Sequence, residues 1–84
     1  MQVTLKLFAS LTEYLPPESK YTNITPLTLE PGTTIAQVVD AHKLPPKWVH
    51  LVLVNGVYIA PENRATHALQ EADVLAIWPP IAGG

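Results

Sequence analysis

Apolar side chains occupy every second position near the start of the chain, at Val3, Leu5 and Leu7. A period of two predicts a strand with one face buried in a core and the other face in water. Phe8 continues the polar face of this strand. The pattern therefore predicts a large aromatic side chain on the exposed side of a sheet.

A short helix is predicted directly after this strand. Ser10 and Glu13 have the spacing of a capping box, in which each side chain bonds a free backbone N–H at the start of a helix. Leu11 and Leu15 then follow with helical spacing. The proline pair at 16–17 must end the helix, because the residue before a proline is driven out of the helical conformation.

The main helix is predicted in the middle of the chain. Thr34 and Gln37 form a second capping box. An apolar stripe with helical spacing follows, at Ile35, Val38, Val39 and His42. Such a stripe indicates a helix that packs one side against a sheet. Prolines at 45–46 close the segment.

Three further segments have the signature of strands. Leu27 and Leu29 alternate with polar residues and stop at a Pro-Gly pair. Asn55-Gly56 separates two apolar runs and readily takes the positive φ values of a two-residue hairpin turn. The nearly unbroken apolar run from Val74 to Trp78 is typical of a central strand that is covered on both faces. The element order predicts one α+β domain over residues 1–84, with the main helix across one face of the sheet.

Composition agrees with a folded single domain. The chain has 84 residues and 9.2 kDa, which allows one hydrophobic core. Hydrophobic residues make up 48% and charged residues 14%, whereas disordered chains are poor in apolar residues and rich in charge. The apolar runs stay shorter than the roughly 18 residues of a membrane helix, and no signal peptide is visible. We expect a soluble, cytoplasmic protein with no membrane partner.

Several classes of chemistry are disfavoured by the residue types present. The net charge is −2 and the five basic residues are scattered, so no basic stripe is available for nucleic acid. Without cysteine there is no disulfide, thiolate metal site or cysteine nucleophile. The three histidines, His42, His50 and His67, are far apart, so a metal site is not expected. No phosphate loop or paired acid is visible, and a protein cosubstrate is a better interpretation than an enzyme.

The candidate chemistry lies at the C-terminal glycine pair, Gly83 and Gly84. With glycine at about 7% of average composition, such a pair ends roughly 0.5% of chains by chance. Trp78 and Pro79 each precede a proline and are pushed toward extended conformations. Residues 79–84 can therefore form an extended, flexible tail spanning up to about 20 Å. A thin tail of this kind could carry a terminal carboxylate into the narrow channel of a partner enzyme.

Three segments carry a resemblance to a known family: Phe8-Ala9-Ser10-Leu11-Thr12-Glu13, Val54-Asn55-Gly56, and residues 73–84 with their Pro-Pro-Ile-Ala-Gly-Gly end. The chain resembles the molybdopterin synthase small subunit and thiamine sulfur carrier (MoaD/ThiS) family of ubiquitin-like proteins. The resemblance implies a β-grasp fold with a mixed sheet of four to five strands. It also places Ala72 where the family often has glycine, and Trp78 where it often has phenylalanine.

The resemblance further implies a reaction cycle and its partners. An E1-like adenylating enzyme would use ATP to activate the carboxylate of Gly84, and a sulfur donor such as a cysteine desulfurase or rhodanese would form the thiocarboxylate. No cofactor would be stably bound. Molybdopterin synthase large subunit, or another sulfur-accepting enzyme, would receive the sulfur. The residues implied to contact partners are Phe8, Tyr58, Trp78, Pro79, Pro80, Ile81 and Ala82, with Gly83 keeping the tail thin.

Other functions remain open from the sequence. Carriers of the thiamine pathway share the terminal glycine pair but usually lack the Phe-Ala segment, and molybdenum and tungsten pathways would use the same tail. A ubiquitin-like modifier would instead join its terminal glycine to a lysine of another protein. A plain binding module would use no tail chemistry at all.

Overall fold

The computed structural model describes residues 1–80. The predictions made for Ile81, Ala82, Gly83 and Gly84 concern residues outside this range. The strands are β1 (Gln2–Leu7), β2 (Ile24–Thr28), β3 (Leu51–Val54), β4 (Val57–Tyr58) and β5 (Val74–Trp78). The helix α1 spans Ile35–Ala41, and short 3-10 helices span Ala9–Tyr14, Pro17–Ser19, Pro46–Trp48 and Pro61–Asn63.

The five strands form one mixed sheet in the order β2-β1-β5-β3-β4. β1 and β5 are parallel, and the other neighbours are antiparallel. β5 thus lies at the centre of the sheet, as its apolar run predicted. The expectation that it is covered on both faces is wrong, because Val74 and Trp78 on one side of the strand are partly exposed. The mixed sheet with one main helix and a short helix after β1 confirms the expected β-grasp architecture.

The core lies between α1 and one face of the sheet, which we call the inner face. α1 contributes Ile35, Val38 and Val39, all of them buried. The inner face contributes alternate strand residues: Val3, Leu5, Leu7, Val52, Val54, Leu75 and Ile77. Because strand side chains alternate, the residues between these positions must point to the opposite, outer face.

The capping box of α1 is confirmed. The backbone N–H of Thr34 donates to Gln37 Oε1 at 2.9 Å, and the N–H of Gln37 donates to Thr34 Oγ1 at 3.3 Å. At the other end His42 is the C-cap residue, with its Nδ1 3.0 Å from the carbonyl oxygen of Val38. The helix ends at Ala41, before the proline pair, because Lys43 adopts a positive φ of 57°.

The Asn55-Gly56 turn is also confirmed, with φ values of 52° and 82°. Asn55 does more than allow the turn. Its Nδ2 donates to Asp73 Oδ1 at 2.9 Å, and its Oδ1 accepts the N–H of Val74 at 2.9 Å. The hairpin turn is therefore bonded to the start of β5.

The capping box predicted at Ser10 and Glu13 is wrong. The 3-10 helix begins at Ala9, with Phe8 as N-cap residue and no side-chain cap. Ala9 has a positive φ of 53°, so the chain turns one residue before Ser10 and places Ser10 inside the helix. Strand limits also differ: β2 begins at Ile24, before the predicted alternation, and β4 has only two residues, whereas the apolar run after the turn predicts a strand from Val57 to Ala60.

Ala72 has a φ of 70°, a left-handed conformation that favours glycine. The left-handed conformation destabilises the folded state by about 1–2 kcal/mol when the residue has a Cβ. Glycine avoids this strain, but its greater freedom in the unfolded chain lowers the free energy of unfolding by about 0.4–1 kcal/mol. Ala72→Gly should therefore raise the free energy of unfolding by about 0.5–1 kcal/mol in urea titrations. Ala36→Gly, the same change inside α1, should lower it by about 1 kcal/mol. Equal losses in both variants would contradict this explanation.

Candidate functional site

The candidate site begins with an aromatic pair on the outer face. β1 and β5 run parallel with Leu7 beside Ile77, so the next residues, Phe8 and Trp78, become neighbours. Their rings stack with centroids 4.1 Å apart and planes within 3°. The sequence predicts Phe8 on the exposed side of the sheet, and in the structure both residues are half-buried, because each ring shields one side of the other.

The pair is part of a wider apolar area across three strands. Trp78 lies opposite Leu51, and Leu53 lies opposite Tyr58. Tyr58 is 54% exposed. We call this area the aromatic surface, and define it as Phe8, Leu51, Leu53, Tyr58 and Trp78. The structure therefore brings together Phe8, Tyr58 and Trp78, which lie far apart in the sequence.

The end of β5 is held on both sides at the edge of the aromatic surface. The N–H of Phe8 donates to the carbonyl of Ile77 at 3.2 Å, and the N–H of His50 donates to the carbonyl of Trp78 at 3.1 Å. Pro79 is buried and Pro80 is exposed. The end of β5 is therefore a hydrogen-bonded base that lies next to the aromatic surface.

Arg64 supports this base and was not singled out by the sequence. Its Nε donates to the carbonyl of Ile59, and its two terminal nitrogens donate to the carbonyls of Val49 and His50, each at 3.1 Å. Because His50 also bonds to Trp78, one guanidinium connects the hairpin and the end of β5. The only signal in the sequence is that this is the one arginine, whose planar fork suits several acceptors at once.

The part of the chain that the structure describes contains no cluster of metal-ligating side chains. Among residues 1–80, no three His, Asp or Glu side chains are close enough to hold a metal ion, and His42, His50 and His67 are not gathered together. Within that same range, no helix has the length and apolar character needed to cross a bilayer.

Comparison with known proteins supports the same architecture. The model of the ThiS family matches residues 5–84. No curated protein matches the sequence at a significant level. The chain is similar in structure to SAMP1 from Haloferax volcanii, a small archaeal modifier protein, with a TM-score of 0.68, 24% identity and complete coverage of both chains.

Two further solved structures extend the comparison. The HVO 2177 protein of Haloferax volcanii has a TM-score of 0.76 and 21% identity, covering 100% of this chain and 87% of that one. A chain in the complex of subunits 1 and 2 of the molybdopterin-converting factor from Helicobacter pylori has a TM-score of 0.61 and 18% identity, with both chains fully covered. At these identities the similarity shows the fold.

Proposed function

The chain belongs to the ThiS family, and from this premise we propose that it is a sulfur carrier whose Gly84 carboxylate becomes a thiocarboxylate. The family and the ubiquitin-like fold support a sulfur-carrier or ubiquitin-like role. The observation that carries the proposal is the family match over residues 5–84, which includes the glycine pair. The aromatic surface beside the end of β5 supports it, since a carrier must dock close to where its tail enters a partner.

The proposed chemistry proceeds on the terminal carboxylate alone. A carboxylate is a poor acyl donor, so an E1-like enzyme first joins it to AMP from ATP and releases pyrophosphate. Hydrosulfide then displaces AMP. A persulfide from a cysteine desulfurase or rhodanese can act instead, followed by a thiol that reduces the acyl disulfide. Glycine at 83 and 84 leaves the carbonyl unhindered, because neither residue has a Cβ.

We propose the large subunit of molybdopterin synthase as the acceptor. The Phe-Ala segment after β1 favours this acceptor over a thiamine-pathway enzyme. The similar chain from Helicobacter pylori occurs in a complex of two molybdopterin-converting factor subunits. In this role the chain is a sulfur-donating subunit, and no side chain of its own takes part in bond making.

A second candidate is protein modification, which the similarity to SAMP1 favours. The adenylated Gly84 would then react with a lysine amine of another protein and form an isopeptide bond. Both functions need the same activated glycine. They differ in the nucleophile that displaces AMP.

Mass spectrometry separates the two functions. The purified chain would be incubated with the E1-like enzyme of the same genome, ATP and a sulfur source. A carrier exchanges one terminal oxygen for sulfur, whereas a modifier appears as heavier conjugates in its native cell extract. Absence of both products, with an enzyme that is active on ATP, would refute the proposal.

The aromatic surface gives a prediction for partner binding. Phe8→Ala should weaken binding to the large subunit by about 1 kcal/mol or more, since aromatic side chains dominate protein interfaces. Val57→Ala is the matched control: Val57 is 64% exposed, but its partner Val54 faces the core, so it lies on the other face. Calorimetric titration should show reduced affinity for the first variant alone. Unchanged affinity with a folded Phe8→Ala would remove Phe8 from the interface.

A further inference from the structure

Lys6 is the only charged residue in the five strands. The other basic residues lie outside the sheet, at Lys20, Lys43, Lys47 and Arg64. Lys6 occupies an outer-face position of β1 and is half-buried. β1 and β5 are neighbours at the middle of the sheet, so this single positive charge lies within the outer face rather than at its rim.

Uncharged residues surround Lys6 on that face. Its cross-strand partners are Ile24 on β2 and Ala76 on β5. The same row continues from Ala76 to Leu53 and then to Tyr58. Its outer-face neighbours along the chain are Thr4 in β1 and Phe8 directly after it. The lysine therefore lies against the aromatic surface, with no carboxylate facing it from either adjacent strand.

We propose that Lys6 selects partners whose docking face is apolar but has one carboxylate placed opposite the ammonium. This inference rests on the proposed function, in which the activating enzyme and the acceptor bind the outer face in turn. A partner that covered Lys6 with apolar groups alone would bury an unpaired charge, which is strongly unfavourable. The charge thus lowers the affinity for purely apolar partners and raises the affinity for a partner with a matching carboxylate.

A second copy of the chain is disfavoured as the occupant. If two outer faces packed together through this row, the two Lys6 ammonium groups would come close, and like charges in an interface oppose association. The aromatic surface can therefore stay exposed in solution without self-association and remain free to bind an acidic partner.

The Lys6 side chain can also contribute by packing alone, and this contribution must be distinguished from that of its charge. Ala76 is only 8% exposed although it points to the outer face, as expected if the aliphatic stem of Lys6 and the side chain of Leu53 cover it. Lys6→Met keeps an unbranched apolar stem and removes the charge. Lys6→Arg keeps the charge. Comparing the two variants distinguishes packing of the aliphatic stem over Ala76 from binding of a partner carboxylate by the ammonium.

The experiment measures the dissociation constant of each variant with the E1-like adenylating enzyme of the same genome, at low and at physiological salt. Lys6→Met should bind roughly tenfold more weakly, with a smaller salt dependence, and Lys6→Arg should bind like the wild type. Lys47→Met, which changes an exposed lysine in the 3-10 helix Pro46–Trp48, should change nothing.

Two results would overturn the inference: Lys6→Met binding as tightly as the wild type, or Lys6→Arg losing as much affinity as Lys6→Met. Sedimentation shows whether a second copy binds this face. A wild-type dimer that the folded Phe8→Ala variant also forms uses another surface. A wild-type dimer that the folded variant does not form uses this face, and would contradict the proposal. Failure of the sulfur-carrier function is read separately, from whether the wild-type chain is thiolated.

Discussion

Deleting Gly84 should abolish thiolation of the chain and leave its melting temperature almost unchanged. The reacting carbonyl belongs to Gly84 in the proposed cycle. Its loss would move the terminal carboxylate to Gly83, one residue short of the adenylation site. The core residues that the structure describes lie within residues 1–80, and a glycine has no side chain to remove from them. Substitutions away from core, caps and networks usually change stability by less than about 0.5 kcal/mol.

The measurement is intact mass after incubation with the activating enzyme, ATP and a sulfur source. Gly83→Trp provides a second variant, because it keeps a terminal glycine but makes the tail bulky. It should be thiolated much more slowly than the wild type. Val57→Ala, on the inner side of the hairpin, should be thiolated normally. A Gly84 deletion that gains sulfur as fast as the wild type would exclude Gly84 as the reacting residue.

Arg64→Ala should lower the free energy of unfolding by about 2–3 kcal/mol, which corresponds to a fall in melting temperature of roughly 10 to 20 °C for a domain of this size. The variant leaves the carbonyls of Ile59, Val49 and His50 without their donor. A hydrogen bond from a charged donor contributes about 1.5–3 kcal/mol, and carbonyls that regain water recover part of the loss.

Arg64→Lys tests the geometry of the interaction. A lysine keeps the charge but cannot present a planar fork to three acceptors, so it should recover less than half of the lost stability. Lys47→Ala removes an exposed cation and should change stability by less than about 0.5 kcal/mol. Thermal unfolding followed by circular dichroism gives all three values. Equal melting temperatures for Arg64→Ala and Lys47→Ala would show that the three bonds contribute nothing net.

Failure of the two predictions would have different meanings. Thiolation that survives without Gly84 would remove the sulfur-carrier proposal as stated. An Arg64 variant of normal stability would leave that proposal intact and change only the account of how the end of β5 is held. The thiolation rate of a folded Arg64→Lys would then show whether the base of the tail matters for activation.

Local signals in the sequence were sufficient for α1 and for the hairpin. The Thr34–Gln37 capping box and the Asn55-Gly56 turn depend on residues within three positions of one another, and the structure contains both. The prediction at Ser10 failed although its spacing is equally good. The helix begins one residue earlier, at Ala9, which has a positive φ. Alanine has no preference for that conformation, so the sequence does not predict it.

The sequence by itself determined the α+β composition, the central position of the apolar strand and the candidate glycine pair, because these follow from periodicity, from the nearly unbroken apolar run and from the order of residues. The tertiary structure alone decided that Phe8 stacks on Trp78, that Lys6 lies among uncharged neighbours, and that Arg64 reaches three carbonyls. The first two depend on which strands pair and in what register, and the third depends on how the segments around residues 49–50, 59 and 64 pack together. These contacts form only when the strands and the helix pack together into one core, and no local pattern of residues specifies them.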